Sequence, residues 1–199
     1  MSVKILGGFA RGLNLLVPKG DLIRPTSIML KRRVFDFFQR MDDKIFIDLC
    51  AGSGAVGLEA WSRGARKVYL NEPHRHVLKI LTENRELCLL KNHHRQIGEI
   101  VTSHLKAEQF LTQFKTTYLN LDDGDKSEVI IFLDPPYAEK NIYENIVESL
   151  QGDWFKGELW IESDRLKGIA HEEWGEKFHL EQIKLFTQGD SYIYVTHFN

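Results

Sequence analysis

The residues best suited to chemistry lie in the stretch 45–59, which reads IFIDLCAGSGAVGLE. An apolar run closes on Asp48, and Gly52, Gly54 and Gly57 follow with the spacing G-x-G-x-x-G. Glycine has no Cβ atom, so the backbone can turn sharply from a strand into a helix and its N–H groups can approach a ligand closely. The stretch predicts a loop that holds a nucleotide-like cofactor, although the glycine spacing alone does not say which one.

Two acidic residues narrow the class of cofactor. Glu72 follows Gly52 by 20 residues and ends a second apolar run, where a carboxylate can accept hydrogen bonds from ribose hydroxyls. Asp48 would repel a pyrophosphate, but it can pair with the ammonium group of a methionine moiety. S-adenosylmethionine therefore fits better than a dinucleotide such as NAD.

A second stretch, Asp134-Pro135-Pro136-Tyr137, follows the apolar run VIIFL, where ligands of open α/β sheets bind. The Asp134 carboxylate could accept one N–H of a nucleobase amino group, and the Pro135 carbonyl could accept the other. The two prolines fix the backbone, and Tyr137 offers a ring face on which an extruded base can stack. The tetrad predicts methyl transfer to an amino nitrogen, with a rigid turn after a buried strand as the competing interpretation.

The order of elements after residue 44 predicts a parallel, doubly wound sheet. Strands and helices alternate, with 116–127 as a polar surface excursion before the fourth strand. The last third predicts an antiparallel pair over 177–186 and 191–198, joined by the turn 187–190. This pattern is compatible with the methyltransferase variant of the Rossmann-like architecture. The predicted units are strands 45–49, 67–70, 97–104, 129–133 and 157–162 and helices 55–63, 74–89, 107–114 and 141–150.

The amino-terminal part carries the positive charge of the chain. Residues 1–40 hold eight Lys or Arg against two acids, a formal charge of +6, whereas 41–199 carry −8. Such polarity is a footprint for a polyanion, with a solvated basic helix as the alternative. Residues 4–17 predict a hairpin arm with Arg11 near its turn, followed by a helix that begins after Arg24-Pro25-Thr26-Ser27 and runs to about Met41. Its expected apolar stripe is Leu30, Val34, Phe37 and Met41.

Length and composition favour one main domain with a small appendage, because 199 residues with 43% hydrophobic content suffice for one sizeable core. We expect a basic extension over 1–41 and a catalytic domain over 42–199. The sequence lacks an apolar run of bilayer length and a signal-like start, so we expect a soluble, cytoplasmic protein. Cys50 and Cys88 suggest neither a disulfide scaffold nor a zinc site, and we expect no metal. His93 and His94 are interpreted as solvated loop residues.

Taken together, these motifs resemble the RsmD-like family of RNA methyltransferases, bacterial 16S rRNA (guanine-N2)-methyltransferases. The resemblance covers nearly the whole chain and rests on ILGGFARG, LIRPT, DLCAGSGAVGLEAWSRGA, LDPPY and ELWIESD. It implies a class I methyltransferase with a mostly parallel seven-stranded sheet, S-adenosylmethionine as donor, and transfer to guanine N2 in the rRNA of an assembling small subunit. The implied catalytic residues are Asp134, Pro135, Pro136 and Tyr137. The implied cofactor-binding residues are Asp48, Ala51, Gly52, Ser53, Gly54, Glu72 and Ala107, and the implied RNA-binding residues are Arg11, Arg24, Thr26, Lys31 and Arg33.

The chain departs from the family pattern at two places. It reads RPTSIMLKRR where similar proteins usually read RPT-x-D-R-V-R-E, and it has Lys106 where they carry Asp or Asn. The second change removes the usual acidic contact to the adenine of the donor, which leaves two alternatives: backbone groups near Lys106 and Ala107 hold the adenine, or the donor binds more weakly. Three alternatives stay open: an N6-adenine methyltransferase acting on RNA or DNA, a dinucleotide-dependent oxidoreductase, and a catalytically silent RNA-binding protein.

Overall fold

A mostly parallel sheet forms the centre of the protein in a computed structural model that describes residues 3–18, 28–92 and 98–199. In chain order the described strands are β1 Val3–Lys4, β2 Asn14–Leu15, β3 Ile45–Asp48, β4 Lys67–Asn71, β5 Glu99–Ser103, β6 Val129–Leu133, β7 Gly157–Asp164, β8 Lys184–Gln188 and β9 Ser191–Phe198. The last seven form one sheet in the order β5-β4-β3-β6-β7-β9-β8. Strand β9 is antiparallel to both β7 and β8, and the remaining pairs are parallel.

Helices cover both faces of this sheet. The described helices are α1 Ile28–Phe37, α2 Ala55–Ser62, α3 Arg75–Lys91, α4 Ala107–Leu119, α5 Asp123–Ser127, α6 Lys140–Leu150 and α7 His171–Glu176. Buried residues of α1, α2 and α3 form one hydrophobic cluster with one face of the sheet, and those of α4, α6 and α7 form a second cluster with the other. Strands β3 and β6 are buried along their whole length, which explains their near-continuous apolar sequences.

The amino-terminal hairpin of β1 and β2 is fastened to helix α2. The Glu59 carboxylate accepts hydrogen bonds from the backbone N–H groups of Leu6 and Gly7, at 2.7 and 2.8 Å. Ser62 accepts from the Ala10 N–H and donates to the Gly7 carbonyl. Close contact requires glycine here, because a Cβ atom at Gly8 would lie 1.8 Å from the Ser62 carbonyl oxygen. The GGF motif therefore attaches the amino-terminal hairpin to helix α2.

The main elements agree with the sequence-based expectation. The glycine loop joins β3 to α2, the tetrad follows β6, and the C-terminal strands form an antiparallel pair. The amino-terminal arm is a hairpin, with Val3 opposite Leu15. No helix within the described residues is long and apolar enough to cross a membrane. The prediction for His93 and His94 lies outside the described residues.

Two predicted segments were wrong. The expected excursion at 116–127 is largely helical, because α4 continues to Leu119 and α5 follows it. Tyr118 is fully buried and extends the apolar face of α4, while the Asp122 side chain caps α5 by accepting from the Asp125 N–H. The expected strand over 177–186 begins only at Lys184, since α7 and a loop with His179 at φ +55° precede it.

Helix α1 also differs from its predicted stripe. It ends at Phe37, which is 56% exposed, whereas Phe35 is buried together with Leu30 and Val34. Lys31 lies on the buried face as well, with only 2% of its side chain exposed. Its charge is matched by Glu59 at 3.4 Å, and its ammonium group donates to the carbonyl of Ala55. Lys31 was predicted to bind RNA, and the structure corrects this by placing it in the interior.

Candidate active site

The loop after β3 and the start of α2 have glycine at positions where a side chain would strain the backbone or clash with a neighbour. Gly52 and Gly54 have φ values of +55° and +81°, in the left-handed region that favours glycine. Gly57, in the first turn of α2, leaves room for β4, because a Cβ atom there would lie 2.2 Å from the side chain of Leu70. Ala51 and Ser53 are buried in the same loop. The loop therefore presents backbone rather than side chains to a ligand.

Asp48 lies just before this loop, and one of its two carboxylate oxygens accepts a hydrogen bond. Its Oδ2 atom accepts from the Gly57 N–H at 3.2 Å, so the residue does cap the first turn of α2. Its Oδ1 atom is buried and accepts no hydrogen bond from the described residues. An oriented, buried carboxylate oxygen of this kind is suited to a ligand that brings its own N–H donors.

Burial raises the pKa of Asp48 to about 8, and the nearby charge of Asp134 adds to the shift. A carboxylic acid in an apolar site keeps its proton because the ionised form loses hydration. The group is therefore mostly neutral at pH 7 until a cation approaches it. A bound ammonium group would favour the ionised form.

Glu72 supports the loop from the neighbouring strand. Its side chain is buried and accepts from the Gly52 N–H at 3.0 Å and from the His74 N–H at 2.7 Å. Burial raises the pKa of Glu72, and these two bonds oppose the rise. The position agrees with a cofactor role, but the described bonds are made to backbone groups.

Asn71 joins three strand ends and was missed by the sequence analysis. This fully buried amide donates to the carbonyls of Leu49 and Leu105, at 3.0 and 2.9 Å, and accepts from the Leu105 N–H. It thereby holds the loop after β5 beside the loop after β3. Ala107 is buried at the start of α4 in that loop, while Lys106 is exposed. An asparagine next to the acidic strand end was the available signal.

The tetrad lies at the same edge of the sheet as the glycine loop. Strand β3 is flanked by β4 and β6, so its carboxyl end is the point where the strand order reverses. Such switch points form the ligand crevice of open α/β sheets. Asp48 pairs with Phe132, and Asp134 follows two residues later on the adjacent strand. The structure thus brings Asp48 and Asp134 together.

The proline corner is braced by a buried tyrosine. The hydroxyl of Tyr143, on α6, lies 3.1 Å from the carbonyl oxygen of Pro135 and 2.8 Å from that of Glu162. The hydroxyl has one proton for these two acceptors, and the shorter distance is the one to Glu162. Pro135 is buried and Pro136 is exposed. Burial raises the pKa of Tyr143 far above its ordinary value, so this hydroxyl stays protonated.

Tyr137 contacts the carboxyl-terminal part of β7. Its hydroxyl lies 3.4 Å from Oε1 of Glu162, and the ring is partly buried. Burial raises the pKa of Tyr137, and the charge of Glu162 adds to this. Tyr137 thus contributes a neutral ring to the tetrad. Glu162, which the sequence analysis did not single out, was signalled only by its place at the end of ELWIESD.

The predicted RNA-binding residues separate into three groups. Arg11 is exposed in the hairpin turn. Arg33 is exposed on α1 and donates to the carbonyl of Thr187, near the turn between β8 and β9. That turn lies at the same edge as the tetrad, because Ser191 pairs with Asp164 at the end of β7. Lys31 is interior, as described above, and Arg24 and Thr26 lie outside the described residues.

The donor set of this edge fits S-adenosylmethionine. Asp48 offers a buried oxygen for an ammonium group, and the loop lacks the side chains that would exclude a nucleoside. The described residues contain no cluster of three or more His, Cys, Asp or Glu side chains that could hold a metal ion. Cys50 and Cys88 are both free thiols.

The strand order, the glycine loop at the switch point and the antiparallel pair at β8 and β9 define a Rossmann-like methyltransferase fold. Solved structures share this fold. A hypothetical protein from Thermus thermophilus superposes with a TM-score of 0.71 at 23% identity, over 98% of this chain and 99% of that one. Trm1 from Pyrococcus horikoshii, in complex with S-adenosyl-L-methionine, superposes with a TM-score of 0.63 at 14% identity, over 99% and 61%.

Sequence comparison identifies the family. Residues 3–195 match the model of the family described as Conserved hypothetical protein 95. Ribosomal RNA small subunit methyltransferase D from Escherichia coli is 30% identical over 184 residues, which is 91% of this chain and 84% of that protein. The chain therefore belongs to this RsmD-like family of rRNA methyltransferases.

Proposed function

We propose that this protein transfers a methyl group from S-adenosylmethionine to the exocyclic N2 of a guanine in small-subunit rRNA. The observation that carries the proposal is the convergence of Asp48 and Asp134 at the ends of neighbouring strands. Their closeness is reflected in the influence of the Asp134 charge on the pKa of Asp48. The name of the Escherichia coli relative supports rRNA as the substrate class.

The residues of the glycine loop would hold the donor. Asp48 would pair with its ammonium group through Oδ1, the backbone of Ala51, Gly52, Ser53 and Gly54 would lie against it, and Glu72 would fix the loop and face the ribose. The buried start of α4 at Ala107 would border the adenine. When bound, S-adenosylmethionine supplies an electrophilic methyl group on a sulfonium centre.

The tetrad would orient the amine. The lone pair of an exocyclic amino group is delocalised into the ring, so the amine is a weak nucleophile and must be held in line for attack. The Asp134 carboxylate would accept one of its N–H groups, and the ring of Tyr137 would stack on the base. Most of the rate enhancement in this scheme comes from positioning rather than from a strong base.

The amino-terminal part would bind the RNA. Arg11 in the hairpin turn and Arg33 on α1 are exposed, and Arg33 lies toward the edge that carries the tetrad. We assign Arg24 and Thr26 to the same surface from the sequence pattern. An assembling small subunit is the proposed partner.

The test is methyl transfer to ribosomal particles. Small subunits and naked rRNA from a strain that lacks this protein would be incubated with donor carrying a labelled methyl group, and the modified nucleoside would be identified by mass spectrometry. We expect N2-methylguanosine at one position of the small-subunit rRNA, with subunits preferred over naked rRNA. N6-methyladenosine as the product, or no transfer to either substrate, would contradict the proposal.

A further inference from the structure

A buried carboxylate beside the tetrad has no role in the scheme above. We propose that Glu162, at the end of β7, selects guanine by accepting hydrogen bonds from the Watson–Crick edge of the flipped base. The inference rests on the proposed function and adds the residue that distinguishes guanine from adenine. The tetrad alone recognises an amino group and is compatible with both bases.

The strand register places Glu162 next to Asp134. Leu133 of β6 pairs with Ile161 of β7, so Asp134 and Glu162 are the residues that follow a directly paired couple. Neighbouring strands lie about 4.8 Å apart, which is short compared with the width of a purine base. Because side chains alternate along a strand, Glu162 lies on the face of Trp160, which belongs to the hydrophobic cluster of α1 and α2.

The contact with Tyr137 joins Glu162 to the site. The Tyr137 hydroxyl approaches Oε1 of Glu162 at 3.4 Å, which is long for an O–H···O hydrogen bond. Glu162 is only 2% exposed, and its carboxylate is in contact with the hydroxyl of the residue proposed to stack on the base. A shift of the Tyr137 ring onto the base would replace this long contact with shorter N–H···O bonds from the base.

The contacts of Tyr143 place Glu162 beside the proline corner. The Tyr143 hydroxyl lies 3.1 Å from the carbonyl oxygen of Pro135, the group that the sequence analysis assigned to the second N–H of the amine. The same hydroxyl bonds the backbone carbonyl of Glu162 at 2.8 Å and so fixes the start of that side chain beside the corner. The Glu162 carboxylate thereby becomes an acceptor held in a defined place next to Asp134.

The chemistry of the two bases explains the selection. Guanine presents N1–H and N2–H donors side by side, and a carboxylate can accept from both. Adenine presents a lone pair at N1, which would face the negative oxygen without a proton between them. A buried group that needs donors rejects a base that lacks them far more strongly than shape alone allows.

The test is Glu162→Gln with Asp164→Asn as the matched control. Asp164 is a buried carboxylate on the same strand and face, but it accepts from the N–H groups of Leu166 and Lys167 in the following loop. Transfer to small subunits from the deficient strain, donor affinity by calorimetry and melting temperature would be measured for both. We expect about 100-fold slower transfer for Glu162→Gln with unchanged donor affinity, and activity within about threefold of wild type for Asp164→Asn.

A selectivity measurement separates base reading from a structural role. Subunits in which the mapped guanine is replaced by adenine would be tested with both enzymes. The amide of Glu162→Gln can donate to adenine N1, so the ratio of adenine to guanine methylation should rise at least tenfold over wild type. Guanine methylation by Glu162→Gln within threefold of wild type, or an unchanged ratio, would overturn the inference alone. N6-methyladenosine as the wild-type product would overturn the proposed function with it.

Discussion

Asp48, which we propose to bind the ammonium group of the donor, should oppose folding at neutral pH. Its pKa is raised from 3.8 to about 8 in the folded chain, so folding takes up a proton between these two values. Well below pH 3.8 the group is protonated in both states and contributes no difference. As the pH rises toward 8, the unfolded chain ionises while the folded chain does not, and stability falls by about 1.4 kcal/mol per pH unit. At pH 7 the accumulated loss is about 4 kcal/mol.

The substitution Asp48→Asn removes this dependence. The amide keeps an oxygen that can accept from the Gly57 N–H, and any constant cost of the new amide cancels when two pH values are compared. The difference in unfolding free energy between variant and wild type should shift in favour of the variant by about 4 kcal/mol from pH 4 to pH 7. For a chain of this length the shift corresponds to roughly 10 °C in melting temperature.

Urea unfolding at pH 4, 5.5 and 7 measures the effect without donor, with the exposed Asp36→Asn as control. The control should stay within about 0.5 kcal/mol of wild type at each pH. Donor affinity should move in the opposite direction, with Asp48→Asn binding S-adenosylmethionine about 10- to 100-fold more weakly, because a charge-assisted hydrogen bond is lost. A pH-independent stability difference, or equal donor affinity, would refute the reasoning.

The remaining predictions concern the tetrad, the RNA surface and the attachment of the amino-terminal hairpin to α2. Asp134→Ala should abolish methyl transfer while calorimetric donor affinity stays within about threefold, because the residue is assigned to the amine. Loss of one positioned catalytic contact slows a reaction by roughly 100-fold, so residual transfer above about 1% of wild type would contradict this assignment. Neutralising Arg11 and Arg33 together should lower the slope of log affinity for RNA against log salt by about two, and an unchanged slope would place the RNA elsewhere. Gly8→Ala should destabilise the chain by about 3 kcal/mol more than Gly12→Ala in urea unfolding. Both glycines have positive φ, but only Gly8 lies against backbone, so equal losses would show that the contact does not matter.

The parts of the fold that the sequence predicted are those with strong local signals. Strands β3 and β6 are buried along their whole length and therefore have nearly continuous apolar sequences, and the glycines that follow β3 indicate a sharp turn from a strand into a helix. Parallel strands end at one edge, so the proximity of Asp48 and Asp134 followed from the alternation of strands and helices. The site was predictable to the extent that it lies at strand ends.

What the sequence did not predict depends on partners distant along the chain. Lys31 looked like one more cation of a basic helix, and its burial follows from Glu59, a carboxylate 28 residues later. Glu59 was itself signalled, as the single charged residue in the helix AVGLEAWS. Helix α5 was missed because a short run of acids and glycine is typical of a turn, and only the cap from Asp122 makes it helical. Glu162 is placed beside the tetrad by the strand register, and Tyr143 is identified by its contacts with the carbonyls of Pro135 and Glu162.

The attachment of the amino-terminal hairpin to α2 limits how this chain can be divided into fragments or joined into chimeras. The eight-residue helix follows the glycine loop and holds the amino-terminal arm along its side, with Glu59 accepting from the arm and from Arg63 and pairing with Lys31. A fragment cut at 42–199 would keep that carboxylate and lose its main-chain donors, so its behaviour would not report on an isolated catalytic unit. A chimera with an amino-terminal arm from another protein therefore has to keep Gly7, Gly8, Glu59 and Ser62 together.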